Sequence, residues 1–253
     1  MRTITVALTG GIAAGKSVAA QRLRERGAHL IDYDYIARII VEPGSPCLSA
    51  IVKDFGPAVL NAQGQLDRQG LGKLIFADPA ARARLNAIMH PAIYSYAAEC
   101  EATIRAHKEP QGPGLGLGLD TENGHNKQQA PGSLRSQKTS EGDVCVIVHD
   151  IPLFVDRRID GPVDSGILEE ASHSPFDLVV TVYAPPALRL DRLMSTRGLS
   201  QAEAEARLAS QAHESQRLAV ADIILDGSRS QDQLHRQIDR LWDQLQIWVS
   251  PGT

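Results

Sequence analysis

The sequence predicts an α/β protein: a parallel five-stranded sheet flanked by helices, with a helical lobe inserted after the second strand and a helical lid near the end of the chain. Three observations predict it. Residues Ile4 to Asp34 run strand, glycine turn, helix, strand, a βαβ opening that implies parallel strands joined by a right-handed crossover. From Tyr35 to Ala106 there is helical periodicity and no strong strand signal. Three more short β-branched runs, each bounded by turns or helical patterns, follow residue 143.

Ile4 to Thr9 is short and apolar, as a buried strand should be. Gly10-Gly11 breaks it, and Lys16 to Arg26 reads as a helix with Val18, Leu23 and small alanines on one side, stopped by Gly27. Ala28 to Ile31 is the second strand, ended by Asp32-Tyr33-Asp34. Helical segments follow at Leu48 to Phe55, Leu71 to Phe76, Ala80 to Met89 and Ile93 to Ile104; Pro43-Gly44, Asn61 to Gly64 and His90-Pro91 punctuate them. Residues 109–142 are glycine-rich and then polar, too poor in apolar surface to offset the entropy of ordering, and are expected to be a disordered insertion without a catalytic role. Val144 to His149 and Phe176 to Tyr183 are the third and fourth strands, with a polar loop over Asp156 to Ser174. Arginine-rich helices are expected over Leu188 to Met194 and Gln201 to Leu218, a fifth strand over Ala221 to Leu225, and a closing amphipathic helix over Gln231 to Ile247. The expected organisation is a core of 1–34, 143–188 and 219–253, a lobe of 35–108, the insertion 109–142 and a lid of 189–218.

Composition narrows the partners. A net charge of −4 gives no basic field for nucleic acid, and 4% aromatics leave little for base stacking. Cys47, Cys100 and Cys145 are scattered without C-x-x-C spacing, so neither disulfides nor a zinc site is expected, only small buried hydrophobes. No run approaches the roughly 20 apolar residues of a membrane helix, and the opening stretch lacks the length of a signal-peptide core. A soluble cytoplasmic protein, monomeric or weakly homo-oligomeric, is expected.

The chemistry is concentrated at Gly10-Gly11-Ile12-Ala13-Ala14-Gly15-Lys16-Ser17, which fits the phosphate-binding P-loop pattern G-x-x-x-x-G-K-[ST] in its proper place between a strand and a helix. Its glycines let backbone N–H groups curl around phosphate oxygens, and the following helix aims its positive end there. Gly11, Ile12, Ala13, Ala14, Gly15, Lys16, Ser17 and Val18 are therefore the expected nucleotide-binding segment. Lys16 can neutralise β- and γ-phosphate charge, and the Ser17 hydroxyl can ligate Mg²⁺. Asp32 and Asp34 lie at the carboxyl edge of the sheet, where ligands bind in open α/β folds, and a kinase needs a carboxylate there to take or orient the acceptor proton. The alternative for either is a cap on the following helix. Arg189, Arg192, Arg197, Arg207 and Arg217 form a cluster suited to a lid over ATP. His90 is read as structural or substrate-facing. Asp150, after the third strand, is a Walker-B-like metal partner by position. The segment after it lacks the glycine of a GTPase switch, and no N-K-x-D guanine signature occurs.

The same residues resemble the dephospho-coenzyme A kinase family. The resemblance runs in order through Leu8-Thr9-Gly10-Gly11-Ile12, Gly15-Lys16-Ser17, Ile31-Asp32-Tyr33-Asp34, Val41-Glu42-Pro43-Gly44, Leu66-Asp67-Arg68, Ile75-Phe76, His90-Pro91, Ile151-Pro152-Leu153, Arg197-Gly198-Leu199-Ser200, Arg207, Gln211, Arg217 and Ala221-Asp222. It implies ATP-dependent phosphorylation of the ribose 3′-hydroxyl of dephospho-coenzyme A. It also implies Asp34 as general base, Lys16 as phosphate-binding lysine, and Arg197 or a neighbour as lid arginine. Arg68 and His90, with Asp32, fall on the acceptor side. Two departures stand out. Ala13 occupies a position where the family usually has glycine, a substitution that costs energy if φ is positive there. Asp226-Gly227-Ser228 follows the fifth strand where the family usually carries asparagine near the adenine. Two competing readings are a P-loop kinase for another small acceptor, against which the lobe motifs argue, and an ATP-binding sensor, which would need no acceptor-side carboxylate.

Overall fold

The computed structural model describes residues 2–106, 144–152, 175–211 and 213–248. The insertion expected at 109–142 and the loop expected over 156–174 lie outside the described residues. Five parallel strands, β1 (Thr3–Gly10), β2 (His29–Asp32), β3 (Cys145–Asp150), β4 (Leu178–Tyr183) and β5 (Ile223–Asp226), form one sheet in the order β2-β3-β1-β4-β5. The first strand is thus central, as it must be if β2 and β4 lie on opposite sides of the phosphate loop. Register places Leu8 of β1 opposite Asp150 of β3, and Asp32 of β2 opposite the same Asp150.

Strand residues alternate between two buried faces, which is why these runs are apolar throughout rather than half polar. Ile4, Val6, Leu8, Val146, Val148, Leu178, Val180 and Val182 face helices α1 (Lys16–Arg26) and α9 (Gln231–Trp248), packing on Ala19, Ala20, Leu23, Leu234, Ile238, Leu241 and Leu245. Ala7, Ile31, Ile147 and Val179 face the other way, onto α2 (Tyr33–Ile39), α3 (Pro46–Phe55), α4 (Arg68–Ala77) and α5 (Pro79–Ala106). The helical block therefore shares one continuous apolar cluster with the sheet.

One open alternative is decided and two local expectations change. Asp32-Tyr33-Asp34 ends β2 and starts α2, and Asp32 takes the capping alternative, its side chain accepting from the N–H groups of Asp34 and Tyr35 at 2.8 and 3.0 Å. His90-Pro91 does not separate two helices. Pro91 removes one helical N–H, yet α5 runs through it, since Ala81 and Leu85 before it and Ile93, Ala97 and Ile104 after it are all buried. The helix expected over Gln201 to Leu218 is two: α7 (Gln201–Ala209), with a Ser200–Glu203 capping box, and α8 (Glu214–Ala219), capped by His213. They follow α6 (Pro186–Arg197), which Gly198 terminates. Cys47 and Cys145 are buried and Cys100 half-buried, all as free thiols. Among the described residues no helix is long and apolar enough to cross a membrane.

Candidate active site

The phosphate loop is held by close backbone packing. Gly15 adopts φ 109°, a conformation that glycine alone enters without strain, and from it α1 starts with neither a side-chain cap nor an acidic residue in its first turn. The N–H groups of that turn remain available to an anion, with the helix dipole behind them. Gly227 passes so near the loop that a Cβ there would collide with the Ala14 carbonyl oxygen. Ala13 sits at φ 61°, the left-handed region that costs an L-residue about 1–2 kcal/mol. The glycine usual at that position in the resembling family would avoid this strain.

Lys16 and Asp150 form an ion pair at the carboxyl edge of the sheet, with Ser17 exposed beside them on α1. Burial pushes the Asp150 carboxyl above its ordinary pKa; the Lys16 ammonium pulls it the other way, and the charges of Asp32 and Asp34 raise it further. Four ionisable groups, from two strand ends and the first turns of two helices, thus act on one another. Asp34, in the first turn of α2, is exposed. Between Asp32 and Asp34, Tyr33 turns inward, 3.3 Å from His149 Nδ1, and His149 Nε2 lies 3.3 Å from a Glu101 carboxylate oxygen on α5. Burial, opposed by Glu101, depresses His149 to about 4, so the ring is neutral. His90 stacks edge-on with Tyr94, which stacks edge-on with Tyr33. The rings therefore link His90 to the turn that carries Asp32 and Asp34. Arg68 is set further out: it donates to the Arg38 carbonyl oxygen at 3.1 Å, and burial and the neighbouring Arg38 charge lower its pKa.

On the opposite side of the loop, Arg192 donates to the carbonyl oxygens of Ala13 (3.1 Å) and Gly227 (2.8 Å). Arg189 is buried against Gly11 and pairs with Glu214 at 2.8 Å, while Arg217 reaches the same carboxylate oxygen at 3.2 Å. Gln211 lends its side-chain oxygen to the Ile12 N–H at 3.0 Å. Arg197 lies exposed at the end of α6, and Arg207 in the last turn of α7; neither touches the loop through any described hydrogen bond. Gln211 stands in the motif string that carries the family resemblance but had no assigned role, and Glu214 was missed, because the partners of both are distant in sequence.

A central β1 running into a phosphate loop, a Lys16–Asp150 pair, and carboxylates on the next strand end define a P-loop protein built like a phosphotransferase. The comparisons make the class specific. The sequence model for dephospho-CoA kinase matches residues 4–110 and 134–233. The chain is 40% identical over 241 residues to the dephospho-CoA kinase of Frankia casuarinae, covering 95% of this chain and 83% of that protein. To that of Leifsonia xyli it is 36% identical, covering 94% and 96%. The chain belongs to the dephospho-CoA kinase family. Its fold superposes on Thermus thermophilus TT1252 with a TM-score of 0.66 at 23% identity, covering 97% of this chain and 99% of that one. For the Campylobacter jejuni dephospho-CoA kinase the TM-score is 0.57 at 22% identity, with 97% and 98% covered.

Proposed function

We propose that this chain transfers the γ-phosphoryl group of ATP to the ribose 3′-hydroxyl of dephospho-CoA, giving CoA and ADP, the final step of CoA biosynthesis, in the cytoplasm. The observation that carries the reading is the convergence of Lys16, Asp150, Asp32 and Asp34 at one sheet edge, in a chain whose family is defined by that activity. A phosphate binder needs the lysine; only a transferase needs a carboxylate on the acceptor side as well.

In this reading Gly11 to Val18 wrap the triphosphate and Lys16 leaves Asp150 to meet it. Asp34, the exposed carboxylate of the pair, takes the hydroxyl proton as the ribose oxygen bonds to phosphorus and the bond to the ADP oxygen breaks. Asp32 spends one oxygen on the α2 cap and so fixes the direction of Asp34. The segment 35–108, with Arg68 and His90, receives dephospho-CoA, and 189–218 closes over the nucleotide. The site also suits Mg²⁺: the ion favours a hydroxyl, one or two carboxylates and phosphate oxygens, which Ser17 and Asp150 would provide. When bound with ATP it neutralises developing charge on the phosphates.

Incubating the purified protein with Mg-ATP and dephospho-CoA, and measuring ADP and CoA, tests the reading. Stoichiometric formation of both is expected. Turnover only on another small acceptor, or ATP binding with no turnover, would overturn it.

A further inference from the structure

We propose that Arg189 is the arginine that meets the phosphoryl group in transfer, with Glu214 as its positioning residue. The inference rests on the kinase reading above and deepens it. Helix α6 carries three arginines, Arg189, Arg192 and Arg197. Arg197 is exposed at the helix end. Arg192 already gives its guanidinium to protein carbonyls on both sides of the loop. Arg189 differs from both. It is only 4% exposed, its Nη2 is held by Glu214, and its Nε and Nη1 have no hydrogen-bond partner. The unpartnered Nη1 lies where a Cβ on Gly11 would be, so glycine at the second position of the loop is what lets the guanidinium reach the loop backbone.

Buried donors without acceptors are costly, about 1–3 kcal/mol each, and an anionic oxygen is the partner that best satisfies a guanidinium. Glu214 is one carboxylate shared by Arg189 and Arg217, and it leaves the Nε and Nη1 donors of Arg189 unmet. Phosphoryl transfer develops charge on the equatorial oxygens of the moving group, and a fixed fork of donors stabilises that charge more than it stabilises bound ATP. The Glu214 contact fixes the fork through α8, an element that follows α6 by a turn and a helix.

Arg189→Gln leaves Glu214 paired with Arg217, so no carboxylate is stranded and the fold should survive. Relative to wild type it should lose at least about 100-fold in kcat, with the KM for dephospho-CoA changed less than about threefold. Calorimetry should show ATP binding weakened toward the affinity of ADP. Arg189→Lys, which keeps the charge and the Glu214 contact but not the fork, should recover less than about a tenth of kcat. Guanidinium added at millimolar concentration to Arg189→Ala should restore part of it. Glu214→Gln should lower kcat about tenfold without changing ATP affinity, as expected of a residue that only aims Arg189. Near-normal kcat in Arg189→Gln, or an equal fall in the affinities for ATP and ADP at a lowered melting temperature, would mean that Arg189 merely props the loop. If the wild type makes no CoA, the kinase reading fails by itself. The ratio of ATP to ADP affinity in wild type and Arg189→Gln still decides the role of Arg189.

Discussion

The two faces of the sheet are built differently. Toward α1 and α9 the packing is almost wholly apolar, and its charges sit at the rim, where Arg22 grips Asp239 and Arg26 reaches Asp243. The buried carboxylate with the parity of that face, Asp150, is at the carboxyl end and neutralised by Lys16. Toward α2–α5 the apolar cluster encloses a polar network of Tyr33, His149 and Glu101. The first face holds a loop whose shape is set by close backbone contact with Gly227 and by the Arg192 and Gln211 side chains. The second supports the turn that carries Asp32 and Asp34. There hydrogen-bonded groups set direction, at the cost of sensitivity to pH.

The largest effect is expected where the second face delivers its carboxylate. Asp34→Asn should reduce turnover by about 10²–10⁴-fold while ATP affinity stays within about threefold, measured by single-turnover kinetics and ATP titration. An equally large loss of ATP binding would move Asp34 from the acceptor to the metal and erase the division between the faces.

His149 tests the polar network by stability. Its pKa is depressed to about 4 in the folded protein, chiefly by burial, with Arg105 lowering it and Glu101 raising it. The unfolded chain titrates near 6.5, so above that pH the ring adds no pH dependence. As pH falls from about 6.5 to about 4 the unfolded state takes a proton that the folded state refuses, and stability drops by up to about 3 kcal/mol. Urea midpoints between pH 7.5 and 4.5 should therefore fall more steeply in wild type than in His149→Gln. Parallel slopes would show that burial does not hold the ring neutral.

The first face was the more legible of the two in the sequence. Its phosphate loop is one contiguous string whose glycines, lysine and serine each have a local reason, and its strands announce themselves by unbroken β-branched runs. What the sequence did not show depends on distance. The sequence offered a cap for either aspartate, and the choice of Asp32 needed the backbone direction after β2. The passage of α5 through Pro91 needed the buried contacts on either side to outweigh a missing hydrogen bond. The split between α7 and α8 places Gln211 and Glu214 at the loop, and no periodicity in that arginine-rich stretch marks either residue. Among the arginines expected for a lid the motif string favoured Arg197, whereas burial singles out Arg189 and Arg217, because charge in sequence says nothing of which guanidinium is enclosed.

Two substitutions sharpen the claim that backbone packing fixes the first face. Gly227→Asn, in the segment where the resembling family usually carries asparagine, should destabilise the protein by about 1–3 kcal/mol, because its Cβ meets the Ala14 carbonyl oxygen. Ala13→Gly should act in the opposite direction and more weakly. Alanine at φ 61° is strained, and its carbonyl is held there by Arg192. Glycine relieves that strain but gains freedom in the unfolded chain, so a net stabilisation of about 1 kcal/mol is expected, seen as a rise of about 2–4 °C in melting temperature. ATP affinity should change less than about twofold, since Arg192 and Gly227 still define the loop. Stabilisation with intact affinity would show that packing, rather than the strained residue, sets the shape. A loss of ATP affinity would show that the loop needs the stiffness of Ala13 itself.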